Sequence, residues 1–266
     1  MKKELMKAAV SDEAAVKRLV EIVKILRKEC PWDKEQTHES LKVCLIEEAY
    51  EVIEAIDKQD DENLKEELGD VMLQVVFHGS LAEEREAFSL KDICNAECEK
   101  MIRRHPHVFS DESLKTVDKV LEKWENVKWN EHGYSSYAEE LSGVPHSLPA
   151  LMRSAKVQKK AAKVGFDWDD VAGAIEKLQE EINEFIVAHE SGSYDDAFEE
   201  MGDLLFTIVN ASRFLKIDPE QALTKSTEKF INRFTRMEEL AHSRELKLDD
   251  MTLEEMDVLW DEVKKS

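Results

Sequence analysis

Residues 44–57 read CLIEEAYEVIEAID and residues 177–188 read KLQEEINEFIVA; residues 64–77 read LKEELGDVMLQVVF and residues 197–210 read AFEEMGDLLFTIVN. One shift of 133 residues carries Glu48, Glu51, Glu67 and Asp70 onto Glu181, Glu184, Glu200 and Asp203. At a slightly different shift, Lys100-x-x-x-Arg104 answers Lys229-x-x-x-Arg233, and each half then reaches a Trp-x-x-Val-Lys, at Trp124–Lys128 and Trp260–Lys264. Ordered matches of this kind mark a duplicated module. Apolar residues fall at helical spacing: Leu45, Ala49, Val52, Ile53 and Ile56 on one face, Leu68, Val71, Met72, Val75 and Val76 on another, and Leu204, Leu205, Ile208 and Val209 repeating the second. The expected fold is all-α, two tandem modules of about four helices each. Residues 1–130 form the first, 131–149 a linker marked by Gly133, Gly143, Pro145 and Pro149, and 150–266 the second.

Composition agrees. The 266 residues hold only 8 Gly and 5 Pro, too little punctuation for a strand-and-turn protein, while 42% are hydrophobic, enough for a core. Against 37 Lys and Arg stand 59 Asp and Glu, a formal charge of −22. That balance argues against a nucleic-acid partner, because phosphate backbones are bound by basic stripes. Cys30, Cys44, Cys94 and Cys98 form no CxxC pair and read as reduced thiols. The N-terminal MKKELMK has no apolar h-region and no run reaches membrane-spanning length, so a cytoplasmic chain with no membrane partner is expected.

The carboxylates carry the chemistry. Glu180 and Glu181 lie four and three residues before Glu184 on one helix face, and Glu200 and Asp203 share a face of the next helix. The short acidic loop between them returns the chain antiparallel and lays the two faces together. No Lys or Arg occurs from Leu178 to Ser212, so local ion pairs are not expected to neutralise the cluster. All-oxygen ligation without His or Cys suits Mg²⁺, or Mn²⁺ in its place, held by Glu181, Glu184, Glu200 and Asp203 and shared with a phosphorylated ligand. Glu48, Glu51, Glu67 and Asp70 offer a second possible site. Gly69 and Gly202, each inside a helical pattern at the same place in its half, suggest close approach of another helix or a ligand. Asn210, two turns beyond Asp203, can face the cleft, whereas its counterpart Phe77 cannot hydrogen-bond a ligand, which favours the second half as the working site. His105 and His107 flank Pro106 and are expected to shape the end of the first module.

With these blocks in place, the sequence resembles the MazG family of nucleoside triphosphate pyrophosphohydrolases over nearly its whole length. The resemblance rests also on Cys30-Pro-Trp-Asp33 followed by Gln36-Thr37, on Arg103-Arg-His-Pro-His-Val-Phe109, and on Leu148-Pro-Ala-Leu151 leading to Gly165-Phe-Asp-Trp168. It implies Mg-dependent hydrolysis of an NTP or dNTP between the α and β phosphates, giving the monophosphate and pyrophosphate, in a homodimer with catalysis mainly in the second module. Carried over by position, it implies Glu181, Glu184, Glu200 and Asp203 as metal ligands and Glu180 as holder or base of the attacking water. Lys229 and Arg233 would clamp phosphates, and Lys177, Glu199, Asn210, Phe230, Asn232 and Trp260 would contact the nucleotide, Trp260 having a helix-closing core aromatic as its other reading. Two further readings stay open: a nucleotide-binding regulatory dimer that engages a protein partner with little turnover, and a narrower pyrophosphatase acting on dUTP or phosphoribosyl-ATP.

Overall fold

The computed structural model describes residues 2–110 and 116–265, apart from the side chain of Asp118. Every regular element among the described residues is helical, as the periodicity requires. The chain divides into two units, 1–128 and 129–266.

The first unit contains α1 (Lys2–Leu5), α2 (Asp12–Glu29), α3 (Pro31–Glu35), α4 (Lys42–Lys58), α5 (Asp61–Glu84), α6 (Leu90–Arg104), α7 (Pro106–Phe109) and most of α8 (Val117–His132). The turn between α4 and α5 takes two residues. Gln59, in the left-handed region at φ 55°, closes α4, and the Asp60 carboxylate accepts from the Asn63 amide to open α5. α5 is the central element, packed by α2, α4 and α6, and Val76, Phe77 and Leu81 meet Val23 and Leu41 in its core. Phe77 is thus a core residue at 4% exposure. At the end of α6, His105 donates to the Met101 carbonyl at 2.6 Å and closes the helix before Pro106 opens α7; His107, on α7, meets the His105 ring at 5.8 Å and its buried Nδ1 has no partner.

Arg27 ties this unit together. Its guanidinium donates to both oxygens of Glu84 at 2.8 and 2.6 Å, and also to the carbonyls of Asp33, Lys34 and Gln36. It lies 5.6 Å over the Phe77 ring. One side chain therefore gathers the carbonyls at the C-terminal end of α3, where Asp33 also accepts from the Gln36 amide, and fixes the Cys30-Pro-Trp-Asp33 turn against α5.

The second unit contains α9 (Tyr137–Ser142), α10 (Ala150–Lys163), α11 (Val171–Ser191), α12 (Tyr194–Phe214), α13 (Pro219–Ser243) and α14 (Leu253–Lys265). Asp170 caps α11, Gly192 at φ 75° reverses the chain, and Ser193 caps α12. A connection of two residues forces α11 and α12 into an antiparallel hairpin, the most extensively packed helix pair of the unit. α10 lies along α12 and α13, and its buried Gln158 donates to the Phe206 carbonyl at 2.8 Å. A separate core of Met237, Ala241, Leu259 and Val263 joins the C-terminal half of α13 to α14.

Two expectations meet a different arrangement. The unit boundary falls inside α8, and the glycine- and proline-bearing stretch expected as a linker carries α9, whose Glu140 pairs with Lys160 of α10 at 2.6 Å in a half-buried ion pair. That pair, with the α9–α10 packing, draws the stretch into the second unit. The apolar faces read from the repeat are also less covered than their periodicity suggests. Val76 and Val209 are buried, but Ile56, Leu68, Leu205 and Ile208 are each about half exposed. A two-helix hairpin has an inner seam and outer apolar flanks, and this chain covers mainly the seam.

Replacing Arg27 with Ala should destabilise the first unit by about 3 kcal/mol, since it removes a bidentate charged pair and strips partners from three carbonyls. Urea unfolding followed by a probe in the first unit would show the shifted midpoint. A shift under about 0.5 kcal/mol, the size of an ordinary surface substitution, would mean that Arg27 does not hold the turn.

Candidate active site

α11 presents Glu181 and Glu184 one turn apart, and α12 presents Glu200 toward them; one carboxylate oxygen from each of the three lies within 4.8 Å of the others. Glu181 is buried at 4% exposure and its Oε2 has no hydrogen-bond partner. Burial first, and then the charges of Glu184, Glu181 and Asp203, push the Glu200 carboxyl above the ordinary carboxylate range. Asp203 therefore contributes to the field of the cluster but is not one of the three closely grouped ligands. The cavity beside these residues is about 400 Å³ and is lined by Asn183, Glu184, Val187, Asp196 and Glu200 among others, all from the α11–α12 hairpin.

The expectation that no local cation neutralises the cluster is corrected by Lys177. It stands one residue before the Lys- and Arg-free stretch, and its Nζ reaches Glu180 at 2.7 Å, Glu181 at 2.8 Å and Glu184 at 4.0 Å. Hydrogen bonds to Glu180 and then Glu181 hold its ammonium well above the ordinary lysine value. Spacings of three and four on a helix allow this. It satisfies one oxygen of Glu181 and leaves the buried Oε2 without a partner. An orphaned, buried carboxylate oxygen beside two further carboxylates fits a hard cation and nothing softer, since no sulfur or imidazole is in the group.

The first unit gathers a different trio from the equivalent positions: Glu48, Glu67 and Asp70 each place an oxygen within 4.8 Å of the others, and Glu51, the counterpart of Glu184, is not one of the three. Burial, Asp70 and Glu51 raise the Glu48 carboxyl, and burial, Glu51 and Asp70 raise that of Glu67. Sequence reasoning missed Gln74, which is 6% exposed, hydrogen-bonds Glu48 and leaves its Oε1 unpartnered. A polar residue one turn past Asp70 inside an apolar run is the signal that could have found it.

The remaining candidates are dispersed. Lys229, Asn232 and Arg233 lie on α13 and, with Lys225, Glu228 and Arg236, line a different recess of about 430 Å³. Lys225 and Arg236 extend the expected clamp by a turn in each direction, a spacing of four, four and three readable in the sequence. Phe230 stacks tilted on Trp260 at 5.2 Å between ring centroids, and Trp260 also packs on the α13–α14 core. Asn210 is half-buried with its Oδ1 unpartnered and does not line the carboxylate cavity. Glu199 adds to the charge felt by Glu200. A Cβ placed at Gly69 or Gly202 would meet nothing within 4 Å among the described residues, so the close helix approach expected there is not seen among them.

Comparison with known proteins bears on this geometry. The model of the MazG nucleotide pyrophosphohydrolase domain matches residues 36–109 and 170–237, one match on each carboxylate hairpin. The nucleoside triphosphate pyrophosphohydrolase/pyrophosphatase MazG of Thermotoga maritima is 46% identical over 92% of this chain and 94% of its own length. The nucleoside triphosphate pyrophosphohydrolase of Escherichia coli is 42% identical over 94% of this chain and 97% of its own. A solved structure of a mazG-related protein from Thermotoga maritima is 30% identical, covers 42% of this chain and 97% of that one, and has a TM-score of 0.38.

The raised Glu200 carboxyl sets a pH dependence. The folded state holds this proton more tightly than the unfolded state, so the stability it contributes is full below the ordinary carboxylate value and is lost as pH rises through the raised one. Without divalent ions, Glu200→Gln should therefore raise the melting temperature more at about pH 7.5 than at about pH 4.5. A melting curve showing the same gain at both pH values would remove the assigned repulsion.

Proposed function

The chain belongs to the MazG nucleotide pyrophosphohydrolase family, and from that premise we infer that it is an enzyme, a nucleoside triphosphate pyrophosphohydrolase. The observation that carries the reading is the orphaned Glu181 oxygen beside Glu184 and Glu200 on a hairpin that the family model matches. We propose Mg²⁺ as the metal, with Mn²⁺ able to replace it, held by Glu181, Glu184, Glu200 and Asp203. Bound there, it would neutralise the carboxylates and draw substrate phosphate oxygens to them.

The chain's own groups supply the rest. Glu180 is exposed at the rim, where its carboxylate now accepts from Lys177; released from that bond, it can orient or deprotonate water for attack on the α phosphorus. The bond to the leaving pyrophosphate breaks, and Lys229 and Arg233 stabilise the charge that builds on it. Lys177 gains a phosphate when it gives up a carboxylate. The tilted Phe230–Trp260 pair offers aromatic surface against which the base can pack. The proposed assembly is a homodimer, the proposed setting the cytoplasm, and the proposed substrate a free nucleotide rather than duplex nucleic acid.

The second module is the proposed catalytic one. Both carboxylate sets are intact, but where the second has Asn210 the first has Phe77, closed into its core. In the first unit Trp124 also lies under two cations, Lys128 at 4.0 Å and Arg104 at 5.9 Å from its ring, which compete with a base for that face. The module is suited to holding a metal or nucleotide without turnover.

Glu184→Gln should lower pyrophosphate release from an NTP by about a hundredfold, the cost of losing a charged ligand at the reacting centre. Glu51→Gln should keep most of the activity. Equal losses from the two, with both proteins folded, would show that catalysis is not confined to the second module. Release of orthophosphate and a nucleoside diphosphate as first products would exclude cleavage between the α and β phosphates.

A further inference from the structure

Gly165-Phe-Asp-Trp168 leads from α10 to α11, and three contacts hold it in place. The Asp167 carboxylate accepts from the Arg213 guanidinium of α12 and, at 3.0 Å, from the Trp168 amide. Asp170 then caps α11 by accepting from the Ala172 amide at 2.8 Å. Within that frame the Trp168 indole lies against Gly173, in the first turn of α11. A Cβ there would come within 2.9 Å of Cε3 and 3.1 Å of Cδ2, so only glycine leaves the ring this room. One side of the indole is thus pressed on the helix, yet Trp168 is still 48% exposed. A large aromatic ring is fixed in place and left open.

Gly173 stands four residues before Lys177, seven before Glu180 and eleven before Glu184, spacings that put all four on one face of α11. By the rise of an α-helix, the indole's seat lies about 6 Å along the axis from Lys177 and about 10 Å from Glu180. Along this face run an aromatic ring, a cation and then carboxylates, the order of base, phosphate and metal in a metal-bound nucleotide. Counted back equally from the two-residue turn, Asn210 on α12 is level with α11 between Gly173 and Lys177. Its Oδ1 has no donor among the described residues, an acceptor unmet at the same end of the hairpin. We propose that Trp168 is a further substrate-contacting residue, its open face seating the nucleobase by stacking. The proposal rests on the pyrophosphohydrolase reading and gives the nucleotide a base end on the carboxylate helix itself. A base has two faces, so a seat on Trp168 does not compete with packing against the Phe230–Trp260 pair.

Steady-state kinetics with two probes tests the seat. ATP carries a base; inorganic tripolyphosphate, used with Mg²⁺ as an inhibitor of ATP hydrolysis, carries none. Trp168→Ala should raise the KM for ATP about tenfold or more, the usual loss when an aromatic platform is truncated under a base, with kcat within about twofold of wild type. The inhibition constant of tripolyphosphate should stay at its wild-type value. Trp168→Phe should recover most of the KM. Gly173→Ala keeps the indole and introduces the better helix former, so its melting temperature should not fall, yet the added Cβ pushes the ring off its seat and should raise the KM as well. An unchanged KM for ATP in folded Trp168→Ala overturns the proposal. A tripolyphosphate constant that rises as much as the KM also overturns it, since the loop would then brace the metal end and touch no base. A wild-type protein that releases no pyrophosphate from ATP would overturn the pyrophosphohydrolase reading and this seat with it, a failure visible before any variant is made.

Discussion

The second unit is organised around a repulsion that it does not resolve. Fixing α11 against α12 through a two-residue turn brings Glu181, Glu184 and Glu200 together, and burial of Glu181 removes the water that would otherwise screen them. A Glu200 carboxyl raised by burial and then by its neighbours' charges, and an oxygen left without a donor, are signs of that cost. Folding tolerates it because Asp170, Gly192 and Ser193 satisfy the helix ends and the inner seam of the hairpin is apolar. A site strained in this way gains from any ligand that brings positive charge.

The same economy governs the apolar residues. Each unit closes a small core, Val23 with Leu41, Val76, Phe77 and Leu81 in one and Met237 with Ala241, Leu259 and Val263 in the other. Much of the remaining aliphatic and aromatic surface is on the flanks of the hairpins and on α13. Polar anchoring carries what those cores do not: Arg27 on three carbonyls and Glu84, Lys160 on Glu140, Gln158 on the Phe206 carbonyl. Such anchors set the angles between helices without closing the surfaces that the helices leave open.

The duplicated helices were legible because two independent signals coincide at the carboxylates. A spacing of three and four residues sets a helix face, and the 133-residue shift repeats it. The grouping of Glu181 with Glu184 and Glu200 followed from the short loop alone. Lys177 is hard to read as their partner in the sequence because it stands immediately before a stretch without Lys or Arg, and only helix spacing brings it back over Glu180 and Glu181. The coverage of Leu205 and Ile208 could not be read either, since periodicity says which side of a helix is apolar and not what lies against it. The fate of the 131–149 stretch was hidden for a different reason. Glycine and proline report local backbone freedom, while Glu140 and Lys160 meet through packing twenty residues apart. Trp260 packs on the α13–α14 core and against Phe230, the core reading of the two that its sequence allowed.

Lys177 gives the site a resident countercharge, and that changes which ions can occupy it. A sodium or potassium ion entering the cluster would replace one unit of positive charge with another, and would forgo two short, directional hydrogen bonds in doing so. A divalent ion adds charge that the ammonium does not supply and can reach the Glu181 oxygen that the lysine leaves bare. By charge alone, such a cluster would favour a divalent over a monovalent ion, before ion size or coordination geometry enters.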